Sequence, residues 1–161
     1  MKRLQGLLLT TLGLTAAACS NAPAPEKTQA SAPTPIVKPA VKDDKSLLLE
    51  KNLKSAEVVP DHLLGKKELP GGTLGEYAAN GKKYQMFIIE TSSSQDAAIL
   101  LLDLKNTLDT PEYIAYMGGY FGSDSGKPVY TFAKLQYVAG IVGLGREKAD
   151  PLARELAVRL R

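Results

Sequence analysis

The amino-acid sequence predicts an α+β domain: a small antiparallel sheet of about five strands, with a central and a C-terminal helix packed on it. Three observations lead to this fold class. Asn80-Gly81 separates two runs of strand-forming residues, which is the strongest short-range signal of a hairpin. Ser93 and Asp96 form a helix-capping pattern just after the second run. Asp150-Pro151 is typical of the first residues of another helix.

The chain begins with a pattern that is not part of this domain. Lys2 and Arg3 give a cationic start, residues 4–14 are mostly apolar, and small residues precede Cys19. Charge, a short apolar core and small residues are the three parts of a secretory signal peptide. The apolar run is too short to span a bilayer, which needs about 20 residues. We therefore predict a cleaved signal peptide at residues 1–18.

Ala16-Ala17-Ala18-Cys19 resembles the lipobox of bacterial lipoproteins. The resemblance implies a diacylglyceryl thioether on the Cys19 sulfur, cleavage before Cys19 and acylation of the new amino terminus, typically with palmitate. Ser20 at the following position implies attachment to the outer membrane, facing the periplasm. The alternative is cleavage by ordinary signal peptidase, which would leave a free thiol. Lipidation is favoured because an exposed lone thiol is a liability in an oxidising compartment.

Residues 19–45 are predicted to be the lipidated cysteine and a disordered tether. Half of the chain's ten prolines lie there: Pro23, Pro25, Pro33, Pro35 and Pro39. Such dense proline blocks helix formation, and the segment has too little apolar surface to offset the entropy of ordering. Its extended reach is roughly 80 Å at about 3.1 Å per residue. A proline-rich ligand for a partner protein is the alternative interpretation.

Residues 46–161 are predicted to form a single globular domain. Residues 46–53 are expected to open it with one or two helical turns, and residues 70–72 form a turn. Residues 74–79 and 82–91 are the two strands of the predicted hairpin. Both faces of the second strand are apolar, so we expect it to be central or covered on both sides.

The central helix is predicted to run from the capping pattern to about Leu108. Its apolar positions repeat at helical spacing and define one buried face: Ala97, Leu101, Leu104 and Leu108. Ile99 and Leu100 widen the apolar arc, so much of this helix is expected to be buried.

The rest of the chain contains a loop, strands and the final helix. Residues 113–126 are rich in tyrosine and glycine and contain a predicted loop at Gly118-Gly119. The predicted order of elements is β-β-α-β-β-β-α or close to it. Residues 129–133 and 136–144 are predicted strands, joined by a short turn at Lys134-Leu135. The last helix is expected to have Asp150 as its N-cap. Its buried residues would be Leu152, Leu156 and Leu160, flanked by Ala153 and Ala157.

Residues 58–161 resemble an uncharacterised bacterial envelope family of unknown function. The resemblance rests on the hairpin, on Ser94-Gln95-Asp96-Ala97-Ala98 at the helix start, on residues 130–140 and on the closing leucine-rich helix. It implies the same α+β arrangement and no known activity, so no catalytic residue can be transferred. Family members often have glycine in the later hairpin turn, where this chain has Leu135.

Charge and composition exclude several kinds of function. The formal net charge is +3, yet residues 46–161 hold equal numbers of basic and acidic side chains, so we expect no nucleic-acid partner. One cysteine and one histidine, His62, give too few ligands for a zinc site or a histidine-based triad. We predict no metal and no cofactor. Gly140, Gly143 and Gly145 are interpreted as points of close backbone packing near a strand end.

Four aromatic residues are the best candidates for a binding surface: Tyr113, Tyr116, Tyr120 and Phe121, in a loop that contains Gly118-Gly119. The alternative is that these side chains cap the sheet edge. The leading hypothesis is a non-enzymatic binding or structural module, anchored to the bilayer, with a protein or cell-wall partner in the envelope. The alternative is a small hydrolase or transferase that uses carboxylates such as Glu76 and Glu90.

Overall fold

The structure, a computed structural model, describes residues 41–161, so the predicted signal peptide, Cys19 and most of the predicted tether lie outside the described residues. Within that range one antiparallel sheet of seven strands has the order β1-β2-β3-β7-β6-β5-β4. The elements are β1 (Leu53–Asp61), β2 (Pro70–Ala79), β3 (Lys82–Glu90), α1 (Ser94–Asn106), β4 (Asp109–Ile114), β5 (Gly119–Asp124), β6 (Lys127–Lys134), β7 (Tyr137–Val142) and α2 (Arg146–Arg159), with 3-10 turns at Lys45–Leu47 and Leu63–Gly65.

The two helices cover opposite faces of the sheet. Side chains alternate between faces along a strand, so Met86 and Ile88 of β3 join the core under α2, whereas Phe87 and Ile89 join the core under α1. All four are buried, and β3 pairs with both β2 and β7. The predicted α+β class and the doubly covered strand are confirmed.

The sheet has seven strands and not the five predicted. Residues 113–126, with the predicted loop, contain β5 and the end of β4, and β1 was also missed. Gly119 lies in β5 and pairs closely with β6. An added β-carbon would lie 2.3 Å from the Thr131 carbonyl oxygen, so this strand position requires glycine. Glycine here reflects close strand contact and not a turn. Residues 70–72, predicted as a turn, begin β2 for a related reason: they pair with β1.

Local turn and cap signals are confirmed. Asn80 and Gly81 have φ of 50° and 73°, as a tight hairpin turn requires. The Ser93 hydroxyl accepts a 3.1 Å hydrogen bond from the Asp96 backbone N–H at the start of α1. The predicted face of α1 is buried, but the widened arc is wrong in part, because Ile99 is 59% exposed.

The last helix begins earlier than predicted. Gly145 is its N-cap, and Asp150 and Pro151 are interior residues of α2. Pro151 cannot donate the helical hydrogen bond to the Glu147 carbonyl, but Glu147 lies in the exposed first turn, where water can solvate that group. The residues before the proline extend the helix because Ala149 is fully buried against the sheet. Leu156, Leu160 and Ala153 are buried as predicted.

Residues 44–49, which we call the strap, lie on the α2 side of the sheet. The backbone N–H of Asp44 donates to the Thr73 hydroxyl at 3.1 Å, and Asp44 is only 4% exposed. Leu48 and Leu49 are buried, and the carbonyl of Leu48 accepts a 2.7 Å hydrogen bond from Arg159 near the end of α2. The folded domain therefore begins before Ser46, and the expected helical opening is reduced to one 3-10 turn.

Leu135 occupies a turn conformation that suits asparagine or glycine better than leucine. Its φ is 54°, and 54% of its surface is exposed. A β-carbon in the left-handed region costs about 1–2 kcal/mol, and asparagine tolerates that region better than leucine does. We expect Leu135→Asn to raise the free energy of unfolding by roughly 0.5 kcal/mol, measured by urea denaturation. A lower stability for this variant would contradict the turn assignment.

Candidate ligand-binding groove

The four predicted aromatic residues do not form one surface, because the sheet divides them. Tyr113 and Tyr120 pair across β4 and β5, with ring centroids 5.4 Å apart, and Lys105 of α1 lies 5.7 Å from the Tyr120 ring. Tyr116 and Phe121 lie on the α2 side instead. The region is a hairpin with two faces, so each face presents only two of the four aromatic side chains.

Tyr116 belongs to a cluster that fastens α2 to the β4–β5 hairpin. The Asp150 carboxylate accepts hydrogen bonds from the hydroxyls of Tyr116 and Tyr130, the latter at 2.8 Å, and from Arg154 Nε at 2.9 Å. The Arg154 guanidinium lies 4.4 Å from the Tyr116 ring centroid. A further ion pair joins Arg146 to Glu112. Tyr116 is exposed, yet its hydroxyl is used within the protein.

This cluster lowers the pKa of Asp150 and raises the pKa of Tyr130. Partial burial alone would raise the pKa of the Asp150 carboxyl, but the hydrogen bonds from Tyr116, Tyr130 and Arg154 outweigh it and lower that pKa below its usual value. Burial, reinforced by the neighbouring carboxylate, strongly raises the pKa of Tyr130. The cluster therefore contains an ionised carboxylate and a neutral phenol over the ordinary pH range.

A pH dependence of stability follows from Asp150. Because its pKa is lowered in the folded state, its contribution is fully present above about pH 4, the unfolded value, and is lost as the pH falls through the folded value. We expect Asp150→Asn to be less stable than the parent chain at pH 7 and to approach it at low pH, in denaturation series from pH 7 to 2.

Asp44→Asn is the matched control, since burial raises the pKa of Asp44 and its contribution has the opposite sign. Stability from that carboxyl is greatest below pH 4 and is lost as the pH rises. A constant difference between Asp150→Asn and the parent chain at every pH would contradict the lowered pKa of Asp150.

The carboxylates considered for catalysis, Glu76 and Glu90, lie on opposite faces of the sheet. Glu76 pairs with Gln85, which is five residues from Glu90 along β3, and an odd separation reverses the face. Asp44 is an acidic neighbour of Glu90, and Lys42 Nζ lies 3.0 Å from Glu90 Oε1. The Asp44 side chain is 5% exposed, so this pair presents only one accessible carboxylate.

His62 is an exposed residue on the β1–β2 connection, with Nδ1 3.8 Å from the Asp61 carboxylate. Over residues 41–161, no three His, Cys, Asp or Glu side chains are grouped so that they could hold a metal ion. In the same range, neither helix is long and apolar enough to cross a bilayer.

A groove of about 440 Å³ lies on the α2 face. We call it the α2 groove; it lies between the first half of α2, the β2–β3 turn and residues 49–52. Buried core residues form its apolar floor: Leu49, Tyr84 and Leu144. Its rim is polar and charged, and consists of Lys51, Asn52, Asn80, Lys82, Glu147, Lys148 and Glu155.

Core packing holds the floor of the α2 groove in place. Tyr84 stacks on Tyr77, with ring centroids 5.0 Å apart and planes 16° from parallel, and the Tyr77 hydroxyl donates to the Leu49 carbonyl at 2.9 Å. Burial raises the pKa of Tyr77 to about 12. Asp150 lies on the opposite side of α2 from the groove, so its cluster helps to fix the helix that forms one wall.

A smaller cavity of about 260 Å³ lies on the α1 face. Its lining includes the Lys66–Asp124 ion pair, which is 2.6 Å long, so two of its charged groups already satisfy each other. The α2 groove is larger than this cavity and its lysines make no ion pair within 4 Å among the described residues, which makes it the better candidate of the two for a binding site.

Comparisons with protein-family models, with curated proteins and with solved structures found no match to this chain.

Proposed function

We propose that this chain is a cell-envelope lipoprotein. Residues 1–18 are removed, Cys19 is acylated, and the segment that follows tethers the folded domain to the outer membrane on its periplasmic side. The support is the order of charged, apolar and small residues before the chain's only cysteine. Several acyl chains on one protein make attachment effectively permanent, whereas a single chain binds only marginally.

We further propose that the folded domain is a non-enzymatic binding module and that the α2 groove is its site. The observation that carries this proposal is a concave space with a rigid apolar floor and a polar rim. Its volume of about 440 Å³ falls in the range of small-molecule sites, roughly 300–1,000 Å³. No histidine, cysteine, serine or threonine is among the described residues that line it, so this lining lacks the side chains of a serine, threonine or cysteine nucleophile with a histidine base.

Anchoring is tested by Cys19→Ala. We expect the parent chain in the membrane fraction, released only by detergent, because its acyl chains are buried in the bilayer. The variant should appear in the soluble envelope fraction or accumulate as the uncleaved precursor. Cell fractionation and immunoblotting would measure both outcomes. Ser31→Ala in the tether is the control and should fractionate like the parent. Membrane retention and normal maturation of Cys19→Ala would overturn the lipoprotein proposal.

Binding is tested with a photo-crosslinking amino acid placed in intact cells at Asn80, on the groove rim, and at Lys54, on exposed β1. We expect an adduct from position 80 and none from position 54. Adding Leu152→Glu, which places a negative charge on the groove wall, should abolish the adduct. Equal labelling from both positions, or labelling that Leu152→Glu leaves unchanged, would overturn the groove as the binding site.

A further inference from the structure

We propose that the α2 groove binds a single-chain anionic amphiphile, a ligand with an apolar chain and one carboxylate or phosphate group. This rests on the proposed binding function and names the ligand class for the same site. The apolar chain would lie on the groove floor, and the anionic group would face the wall that carries Lys51 and Lys82.

The floor provides the apolar half of this recognition. Leu49, Tyr84 and Leu144 are 1%, 5% and 6% exposed, so they are held by the core and need no rearrangement to receive a ligand. Leu152 of α2 is half-buried and adds apolar surface to the wall above them. Burial of the ligand's apolar carbons there removes apolar surface from water, and a wholly polar ligand could not gain this stabilisation.

The two walls differ in charge, and this difference sets the sign of the ligand. On the wall built by residues 49–52 and the β2–β3 turn, the charged residues that line the groove are Lys51 and Lys82; the exposed Glu50 beside Lys51 is not among the described residues that line it. Asn52 and Asn80 lie on the same wall, where side-chain amides can donate further hydrogen bonds. A cationic ligand group would be repelled from this wall, whereas a carboxylate or phosphate would be attracted to it.

The opposite wall explains why one anionic group is expected and not several. Glu147 and Glu155 of α2 line it together with Lys148. A second anionic group on the ligand would approach these carboxylates and be repelled. Lys51, Lys82 and Lys148 make no ion pair within 4 Å among residues 41–161, so binding would not have to break one.

The test uses the full chain carrying Cys19→Ala, so that no acyl chain of its own competes. Amide chemical shifts are followed while dodecanoate is added below its micelle-forming concentration. We expect the shifts to change mainly around Leu49, Tyr84 and Leu152. Lys51→Glu/Lys82→Glu should weaken dodecanoate binding roughly tenfold, while Lys54→Glu/Lys67→Glu, on exposed residues outside the groove, should leave it unchanged. Matching thermal midpoints would show that all variants remain folded.

Three results would overturn the proposal. Equal binding of dodecyltrimethylammonium and dodecanoate would show that charge does not select the ligand. Binding of anionic phospholipid vesicles without binding of dodecanoate would show a membrane-contact surface in place of a ligand site. The absence of any shift at the groove would exclude the ligand class. In each case, a crosslinked adduct from position 80 in cells would still support the proposed binding function. Loss of that adduct would contradict both the binding function and the ligand class.

Discussion

Gly140→Ala is expected to lower the free energy of unfolding by roughly 3 kcal/mol, at the upper end of the range for overpacked cores. Gly140 lies in β7, the central strand of the sheet. A β-carbon there would lie 2.6 Å from two ring carbons of Phe87 and 2.6 Å from the Tyr130 carbonyl oxygen. Phe87 is fully buried and the carbonyl belongs to the neighbouring strand, so relief requires the strands themselves to move. Thermal and urea denaturation would measure the loss.

Two further variants separate crowding from a general effect of substituting glycine. Gly145→Ser also adds a β-carbon, but apart from the adjoining residues no atom of residues 41–161 lies within 4 Å of that position, and we expect little change. Phe87→Leu removes part of the ring, so Gly140→Ala should cost less in that background than in the parent chain. Equal and small effects of Gly140→Ala and Gly145→Ser would contradict the close packing at β7.

Leu156→Ala is expected to cost about 2–5 kcal/mol, because it leaves a cavity in a filled core. Leu156 is fully buried under α2, in the same core as Met86, Ile88 and Tyr130. In a domain whose total stability is about 5–15 kcal/mol, such a loss is a large fraction of the whole. Urea denaturation at pH 7 would measure it through the transition midpoint at an unchanged slope.

The matched control is Val158→Ala on the same helix. Val158 is 67% exposed, so its truncation removes little buried surface and should change stability by less than about 0.5 kcal/mol. If Val158→Ala were the more damaging of the two, the face of α2 that packs on the sheet would be wrongly assigned.

The features that sequence analysis predicted correctly depend on residues close together in the chain. The hairpin turn needs only Asn80 and Gly81 in the left-handed region, and the α1 cap needs only Ser93 and the Asp96 backbone N–H. The apolar periodicity of β3 predicted a strand covered on both faces, because that pattern is also local. These signals do not require knowledge of which strand is the neighbour.

The features that were missed depend on contacts between distant segments. β5 reads as a loop because Gly119 and Gly122 are usually turn residues, yet the first is required by the Thr131 carbonyl on the next strand. α2 extends past Pro151 toward its N-terminus because Ala149 packs on the sheet and Asp150 bonds Tyr130. Tertiary contacts outweigh local propensity in both cases.

The candidate site was not predicted for the same reason. Its floor combines Leu49, Tyr84 and Leu144, which are far apart in sequence and carry no shared motif. The predicted aromatic surface was based on crowding along the chain, whereas strand alternation separates Tyr113 and Tyr120 from Tyr116 and Phe121. A hairpin assignment for residues 109–124 would have revealed that division.

The strap also decides how the domain responds to mechanical load. Tension applied through the residues that precede Val41 reaches the folded domain first at Lys42, whose ammonium lies 3.0 Å from the Glu90 carboxylate, and then at Asp44, whose N–H donates to the Thr73 hydroxyl. The next attachments along the chain are the Arg159 bond to the Leu48 carbonyl and the Tyr77 bond to the Leu49 carbonyl. These few bonds would yield one after another before the ladder between β1 and β2 is loaded. Peeling of the strap would uncover the Leu49 side of the α2 groove, so a pull on the chain before Val41 would open the groove wall while the seven-stranded sheet stays intact.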